Sequence, residues 1–467
     1  MPRWGQEVPI FQRIDHYFGV RAAGSTLRRE VGGGLTTFLA MAYILFVQPA
    51  MLGATGMDPG AVLTATCLSA ALATLIMGLW ARYPVALAPG MGLNAFFAFT
   101  VCGTMGIPWQ QALGLVLCSG VLFLFLGLFR LRDRIVAVLP EDLQHAIAAG
   151  IGIFIAFIGF KEAGLLVPDA NTFLTVGDLS ARWQPVTTAV AGLVVAAALM
   201  ARKVPGAILV GIGVSLVVAL LVGATRWTGL VSAPPSIAPT ALQLDLTAVF
   251  TPTNLGLVLL FLYTDLFDTV GTLLGVGTQA GLIKDGRLER GDRAFLADAV
   301  GTTVGALLGT STVTSYIEST AGVEVGARTG LASVVTGVLF LAALFFYPLA
   351  EMVGGAVAIQ TTIMTSSGPV SHELFIHPIT APALILVGAM MARSLSRIHW
   401  TGPQAAIPCF LVVIGIPLTF SIAHGISFGI MAWAAIAFLS GRTRSISWGM
   451  YALAGLLAVG WMRALLG

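Results

Sequence analysis

The sequence predicts an all-α polytopic membrane protein: 14 transmembrane segments arranged as two inverted repeats of seven helices. Three observations predict it. Only 10% of the 467 residues are charged and 57% are hydrophobic, with a mean hydropathy of +0.92, whereas a soluble protein carries about 25% charged residues. The 55 glycines and 22 prolines lie inside long apolar runs, as in transmembrane helices. Counted as crossings, those runs also sort the basic residues onto one side.

A helix needs about 20 apolar residues to cross the hydrocarbon core, and fewer where protein surrounds it. The first seven crossings fall near 33–54, 61–80, 84–104, 109–129, 142–160, 185–201 and 204–223. Seven more fall near 254–276, 293–309, 310–326, 328–349, 379–393, 404–420 and 424–440. A further apolar segment at 446–464 leaves a fifteenth crossing open. Residues 1–32 precede them all. Five arginines and no apolar core among residues 1–30 argue against a cleavable signal, and Pro9–Val20 reads as a short amphipathic helix at the interface. With the N-terminus inside, 20 of the 24 Lys and Arg are cytoplasmic, leaving Lys161, Arg182 and Arg226 outside and Arg463 in the tail. That bias supports a cytoplasmic N-terminus and the parity of the crossings.

Seven crossings reverse the membrane sense, so a second seven runs upside down relative to the first. That is the plan of many secondary transporters, whose sites lie at the midplane where helices are interrupted. An interruption occurs in the third crossing of each half: Leu87-Ala-Pro-Gly-Met-Gly-Leu-Asn94 and Gly309-Thr-Ser-Thr-Val-Thr-Ser-Tyr-Ile-Glu318. Pro89, Gly90 and Gly92 disfavour regular helix, and the Thr/Val run favours extended backbone. Unwound backbone at membrane depth must find hydrogen bonds, and pairing these two stretches with each other supplies them.

Deep in the crossings the acids are Asp265 and Asp268 in the eighth and Glu318 in the tenth, with Asp298 shallower in the ninth. An acid at a helix centre costs roughly 2.5–3.5 kcal/mol on insertion scales, so a midplane cluster points to function. Asp265 and Asp268, three residues apart, share a helix face. Asp298, five residues after Arg293, also reads as an ordinary helix-start carboxylate. Tyr316, two residues before Glu318 in an extended stretch, faces the same side as that acid and is the better stacking candidate. By residue type Phe96, Phe97 and Phe99 read as core or lipid-facing.

Other features read more plainly. A net charge of +3 without basic runs gives no basis for nucleic-acid binding. Cys67, Cys102, Cys118 and Cys409 sit in apolar stretches without CxxC or nearby His, which implies neither disulfides nor a metal. Val31-Gly-Gly-Gly34 lacks the Lys-Ser/Thr of a phosphate loop and suits close helix packing.

Three stretches, Ala88-Pro-Gly-Met-Gly-Leu-Asn-Ala-Phe-Phe97, Asp265-Leu-Phe-Asp-Thr-Val-Gly-Thr272 and Thr310-Ser-Thr-Val-Thr-Ser-Tyr-Ile-Glu-Ser319, resemble the AzgA-like purine permeases of the nucleobase:cation symporter-2 family. The likeness runs from about Phe18 to Arg442. It implies a core of crossings 1–4 and 8–11 (33–129 and 254–349), a gate of crossings 5–7 and 12–14 (142–223 and 379–440), and short antiparallel strands in crossings 3 and 10. It further implies import of hypoxanthine, guanine and adenine with a proton as the coupling ion and no other cofactor. An elevator-like motion of core against gate, within a homodimer of the plasma membrane, belongs to the same pattern. Carried over residue by residue, Asp265 and Glu318 bind the base, with Asn94, Tyr316, Thr314 and Phe96 in the substrate-binding set. Asp268 and Asp298 join proton coupling. Two regions depart from the pattern: a long polar link at 351–377, and His399 and His424 where acids or amides are expected.

The nearest rival is an anion carrier for sulfate or dicarboxylate with the same architecture, which calls for positive charge or only helix N-termini at the midplane, whereas the deep charges here are all acidic. An intramembrane prenyltransferase needs a second acidic cluster beside Asp265-Leu-Phe-Asp268, and an intramembrane aspartyl protease needs its two acids on separate helices with their own motifs. The sequence favours a carrier over an enzyme.

Overall fold

The computed structural model describes residues 10–129, 139–169, 173–176, 178–247, 249–284, 287–365, 368–443 and 447–466. Residues 1–9, the arginine-bearing residues 130–138 and Arg444 lie outside it.

Helix α1 (Ile10–Phe18) falls within the stretch expected as a short amphipathic helix. The first crossing is α2 (Leu27–Met41) and α3 (Ile44–Gly53), separated by Ala42 and Tyr43. Helix α4 (Pro59–Ile76) starts with Asp58 accepting from the Ala61 N–H at 2.8 Å and ends in a π-helical turn, Met77–Ala81. The third crossing is strand β1 (Leu87–Pro89), helix α5 (Met91–Ala95) and a π-helical stretch, Phe96–Thr104. Then come α6 (Trp109–Leu128), α7 (Glu141–Glu162), the small hairpin β2 (Val167–Asp169) and β3 (Phe173–Thr175), α8 (Trp183–Ala201) and α9 (Ala207–Leu221).

The second half opens with α10 (Pro252–Ala280), whose ends obey local rules. Thr251 caps the Asn254 N–H, Pro252 takes the first turn, and Gly281 at φ +73° supplies the left-handed stop. Strands β4 (Ile283–Lys284) and β5 (Arg287–Leu288) lead to α11 (Gly291–Leu308), strand β6 (Val313–Ser315) and α12 (Ser319–Val325). Helices α13 (Gly330–Ala343) and α14 (Tyr347–Gly354) make the eleventh crossing. The link expected as a polar connection is an antiparallel hairpin, β7 (Val357–Thr365) and β8 (Gly368–Ile376), registered from Val357↔Ile376 to Thr365↔Gly368. Helices α15 (Ala381–Met391), α16 (Pro403–Thr419) and α17 (Ile422–Leu439) follow, and the apolar segment expected at 446–464 falls on a helix, α18 (Trp448–Leu466).

Each of the 14 expected crossings therefore falls on described elements, and eight helical stretches among the described residues are long and apolar enough to cross a membrane. The tenth crossing is not one continuous helix, because the Thr/Val run stays extended before a helix of 7 residues.

The broadest helix contacts stay within two sets. Helix α6 packs on α11, and α13 on α2 and α4; in the other set α7 packs on α15 and α16, α8 on α9, and α16 on α17. Close approach explains the glycine run near the N-terminus. A Cβ on Gly322 of α12 would stand 2.2 Å from Thr37 Oγ1 and 2.5 Å from the Gly33 carbonyl oxygen, so α2 and α12 touch backbone to backbone.

Candidate functional site

Strands β1 and β6 pair antiparallel with Leu87↔Ser315, Ala88↔Thr314 and Pro89↔Val313 opposite each other. Beyond them Tyr316 N–H donates to the Ala86 carbonyl at 2.9 Å and Gly90 N–H to the Thr312 carbonyl at 2.9 Å. Bonded and non-bonded pairs alternate along an antiparallel ladder. Leu87, Pro89, Val313 and Ser315 therefore turn their backbone groups outward, away from the partner strand. Pro89 fits because the N–H it lacks is not needed by the ladder.

In an apolar interior outward groups need partners, and side chains supply them at Leu87, at the Pro89 carbonyl and at the Val313 carbonyl. The Leu87 N–H donates to Thr74 Oγ1 at 2.9 Å, and that hydroxyl donates to the Leu87 carbonyl at 2.9 Å. The Pro89 carbonyl accepts from the Tyr316 hydroxyl at 2.5 Å and from Asn94 Nδ2 at 3.4 Å. The Val313 carbonyl accepts from the Thr302 hydroxyl at 2.8 Å, and the Ser315 hydroxyl donates to Asp298 Oδ1 at 2.9 Å. Asn94 Oδ1 accepts from the Ser311 hydroxyl. Gln48 of α3, fully buried, donates to Thr310 Oγ1 at 3.0 Å and locks the approach to β6.

The four acids divide into two environments. Asp268 and Glu318 line a cavity of about 1810 Å³, together with Gly90, Thr314, Tyr316 and Tyr43. Asp268 is exposed to that cavity and Glu318 half-buried, and the Tyr43 hydroxyl donates to Glu318 Oε1 at 2.9 Å. Asp265 and Asp298, both 0% exposed, lie behind the strands. Asp265 Oδ2 is 2.9 Å from Thr302 Oγ1, while Asp265 Oδ1 and Asp298 Oδ2 have no hydrogen-bond partner among the described residues. Three helical residues advance the side chain by about 300°, which leaves about 60° between Asp265 and Asp268. That offset turns one toward α11 and β6 and the other into the cavity. Of the expected substrate-binding residues, the structure brings Glu318, Tyr316 and Thr314 to the cavity. It places Asp265, Asn94 and Phe96 behind it, with Phe96 packed on Phe261 at a ring distance of 4.7 Å. Asp268, expected in proton coupling, faces the cavity, and Asp298 is fully buried.

The cavity exceeds the roughly 300–1,000 Å³ of an ordinary small-molecule pocket, so it is a vestibule. The opposite wall comes from α7, α15 and α17, with Ile151, Met391, His424 and Ser427, and from Leu453 and Leu457 of α18. The other departing histidine, His399, does not line it: its backbone N–H and Nδ1 both meet Asp142 Oδ1, at 3.0 and 2.9 Å. His377 meets Glu162 Oε2 in the same way at 3.0 and 2.9 Å, so α7 is held at both ends. Sequence reasoning missed Tyr43 and Gln48. The one available signal was Tyr43 and Gln48 in the apolar second half of the crossing, ahead of Pro49, a residue that disturbs the turn before it.

Interrupted crossings that meet as a two-stranded ribbon, with acids facing a vestibule inside apolar helices, define a polytopic membrane carrier. The chain belongs to the permease family (Xan_ur_permease), whose model matches residues 28–370. It is similar to the guanine/hypoxanthine permease PbuG of Bacillus subtilis, 42% identical over 449 residues that cover 94% of this chain and 97% of that protein. It is also similar to the adenine permease AdeP of Escherichia coli, 40% identical over 435 residues, 93% of this chain and 92% of that one. Among solved structures it resembles the transmembrane domain of the cyanobacterial bicarbonate transporter BicA, with a TM-score of 0.57 at 14% identity, covering 86% of this chain and 97% of that chain. At that identity the likeness concerns the fold alone.

Proposed function

We propose that the protein imports purine nucleobases (hypoxanthine, guanine and adenine) across the plasma membrane in symport with protons. The observation that carries this reading is the pair Asp268 and Glu318, facing one cavity beside Tyr316 in a chain so similar to permeases named for adenine and for guanine/hypoxanthine. A neutral purine offers N–H donors and ring-nitrogen acceptors. The two carboxylates accept from the donors, and the Thr314 hydroxyl serves either kind of edge. Tyr316 spends its hydroxyl on Pro89, which holds the ring as a fixed flat wall for the base. The placement of the acids favours base contact by Asp268 and Glu318 and proton coupling by Asp265 and Asp298, an exchange of the roles expected for Asp265 and Asp268.

The two packing sets support reading crossings 1–4 and 8–11 as a core and crossings 5–7 and 12–14 as a gate. On this reading the core, carrying both strands and all four acids, moves against the gate in a homodimer whose N-terminus is cytoplasmic. An anion carrier is disfavoured because the charged groups beside the ribbon are acidic. Arg393 and Arg397 line the same cavity only from the turn after α15. Uptake of labelled hypoxanthine, adenine, uracil and sulfate into cells expressing the chain tests the proposal. Purines alone should enter, and Asp268→Ala or Glu318→Ala should abolish entry while the protein still reaches the membrane. Sulfate uptake, or wild-type purine uptake by both variants, would overturn it.

A further inference from the structure

Thr302 of α11 stands between a buried carboxyl group and the outward edge of β6. Its hydroxyl is 2.9 Å from Asp265 Oδ2 and 2.8 Å from the Val313 carbonyl oxygen, with both Thr302 and Asp265 0% exposed. A hydroxyl carries one hydrogen, and a carbonyl oxygen only accepts. With the Thr302 hydrogen on Val313, an ionised Asp265 would present a bare oxygen to a bare oxygen. The contact is satisfied when the carboxyl group brings a hydrogen of its own. A second observation agrees: Asp265 Oδ1 has no partner among the described residues and is buried, a costly place for an anion. The charged groups facing Asp265 are Asp298 across from α11 and Asp268 on its own helix. Of the other elements packed on α10, α5, α6 and β6 carry no charged residue, α12 carries Glu324, and the short strands β4 and β5, which follow the C-terminal end of α10 in sequence, carry Lys284 and Arg287. Arg293, at the start of α11, is turned to the Trp80 carbonyl at 3.4 Å.

We propose that Asp265 is protonated in this conformation, donating through Oδ2 to Thr302, and that Thr302 is a positioning residue linking that proton to strand β6. When the Asp265 O–H bond breaks, its electron pair stays on the carboxylate and the proton leaves toward water. The Thr302 hydrogen then turns to the new anion, and the Val313 carbonyl loses this donor. Val313 adjoins Thr314 and leads to Tyr316 and Glu318, so the cavity wall loosens when the proton departs. The inference rests on the reading of the chain as a proton-coupled carrier and assigns one hydroxyl as the link.

Infrared spectra of the purified full-length protein near neutral pH test it. Wild type should show a non-ionised carboxyl C=O component that is absent from Asp265→Asn, shifted in Thr302→Val, and unshifted in Thr302→Ser, which keeps the hydroxyl. In proteoliposomes Thr302→Val should lower gradient-driven purine accumulation about tenfold, the equivalent of one lost hydrogen bond, while purine counterflow stays near wild type; Thr302→Ser should retain both. A component that survives Asp265→Asn, or that does not move in Thr302→Val, overturns the assignment. Should Asp265→Asn fail to fold, the Val and Ser variants decide on the same band. Absence of purine uptake by wild type would count against the functional reading, whereas normal uptake with an unmoved band in Thr302→Val counts against this inference alone.

Discussion

Exchanging the carboxylates of α10 for amides one at a time separates binding from coupling. Asp268 is exposed to the cavity and can meet a base, while Asp265 is 0% exposed with Thr302 at 2.9 Å. In Asp268→Asn a charged acceptor becomes an amide that mismatches an N–H donor of the base. Hydrogen bonds to charged groups contribute about 1.5–3 kcal/mol, so affinity should fall roughly ten- to a hundredfold. In Asp265→Asn the amide keeps the shape and its N–H replaces the carboxyl hydrogen toward Thr302, so binding should change by less than about threefold, within 1 kcal/mol. The amide cannot release a proton, so accumulation against a gradient should vanish while base exchange persists. Equilibrium binding of labelled hypoxanthine to both purified variants, paired with concentrative uptake in vesicles, reads both effects. Loss of binding in Asp265→Asn with retention in Asp268→Asn would refute the division of roles.

Three further outcomes are expected. Tyr43→Phe removes the 2.9 Å bond to Glu318 and should weaken purine binding about tenfold with unchanged expression, as isotherms on purified protein would reveal. Tyr316→Phe strips the Pro89 carbonyl of its short donor and should cost about 1–3 kcal/mol of stability, read as a lower unfolding temperature in detergent. Gly322→Ala forces a methyl to within 2.2 Å of Thr37 Oγ1; it should destabilise by about 1–3 kcal/mol or more and reduce membrane yield, and a wild-type melting curve would contradict the close α2–α12 contact.

The architecture was legible because its causes are local. Apolar length marked the crossings. Proline, glycine and β-branched residues marked the two places where helix gives way to strand, and unsatisfied backbone at depth required those strands to meet. The acids were legible as a set because their burial cost makes each conspicuous. Their division was not. Whether Asp265 or Asp268 meets the cavity depends on about 60° of helix rotation, set by how α10 seats against α11 and β6. Tyr43 escaped notice because its role arises from a break at Ala42–Tyr43 that places it opposite a residue 275 positions away. The 357–376 hairpin was not legible because the segment lies between crossings and mixes polar with apolar residues.

Purified protein in proteoliposomes, with an imposed pH gradient and no sodium, tests the central claim most directly. Labelled hypoxanthine should accumulate above its external concentration, collapse of the gradient should release it, and Asp268→Ala should show none. Sodium-dependent accumulation indifferent to the pH gradient, or equal accumulation by Asp268→Ala, would contradict the account.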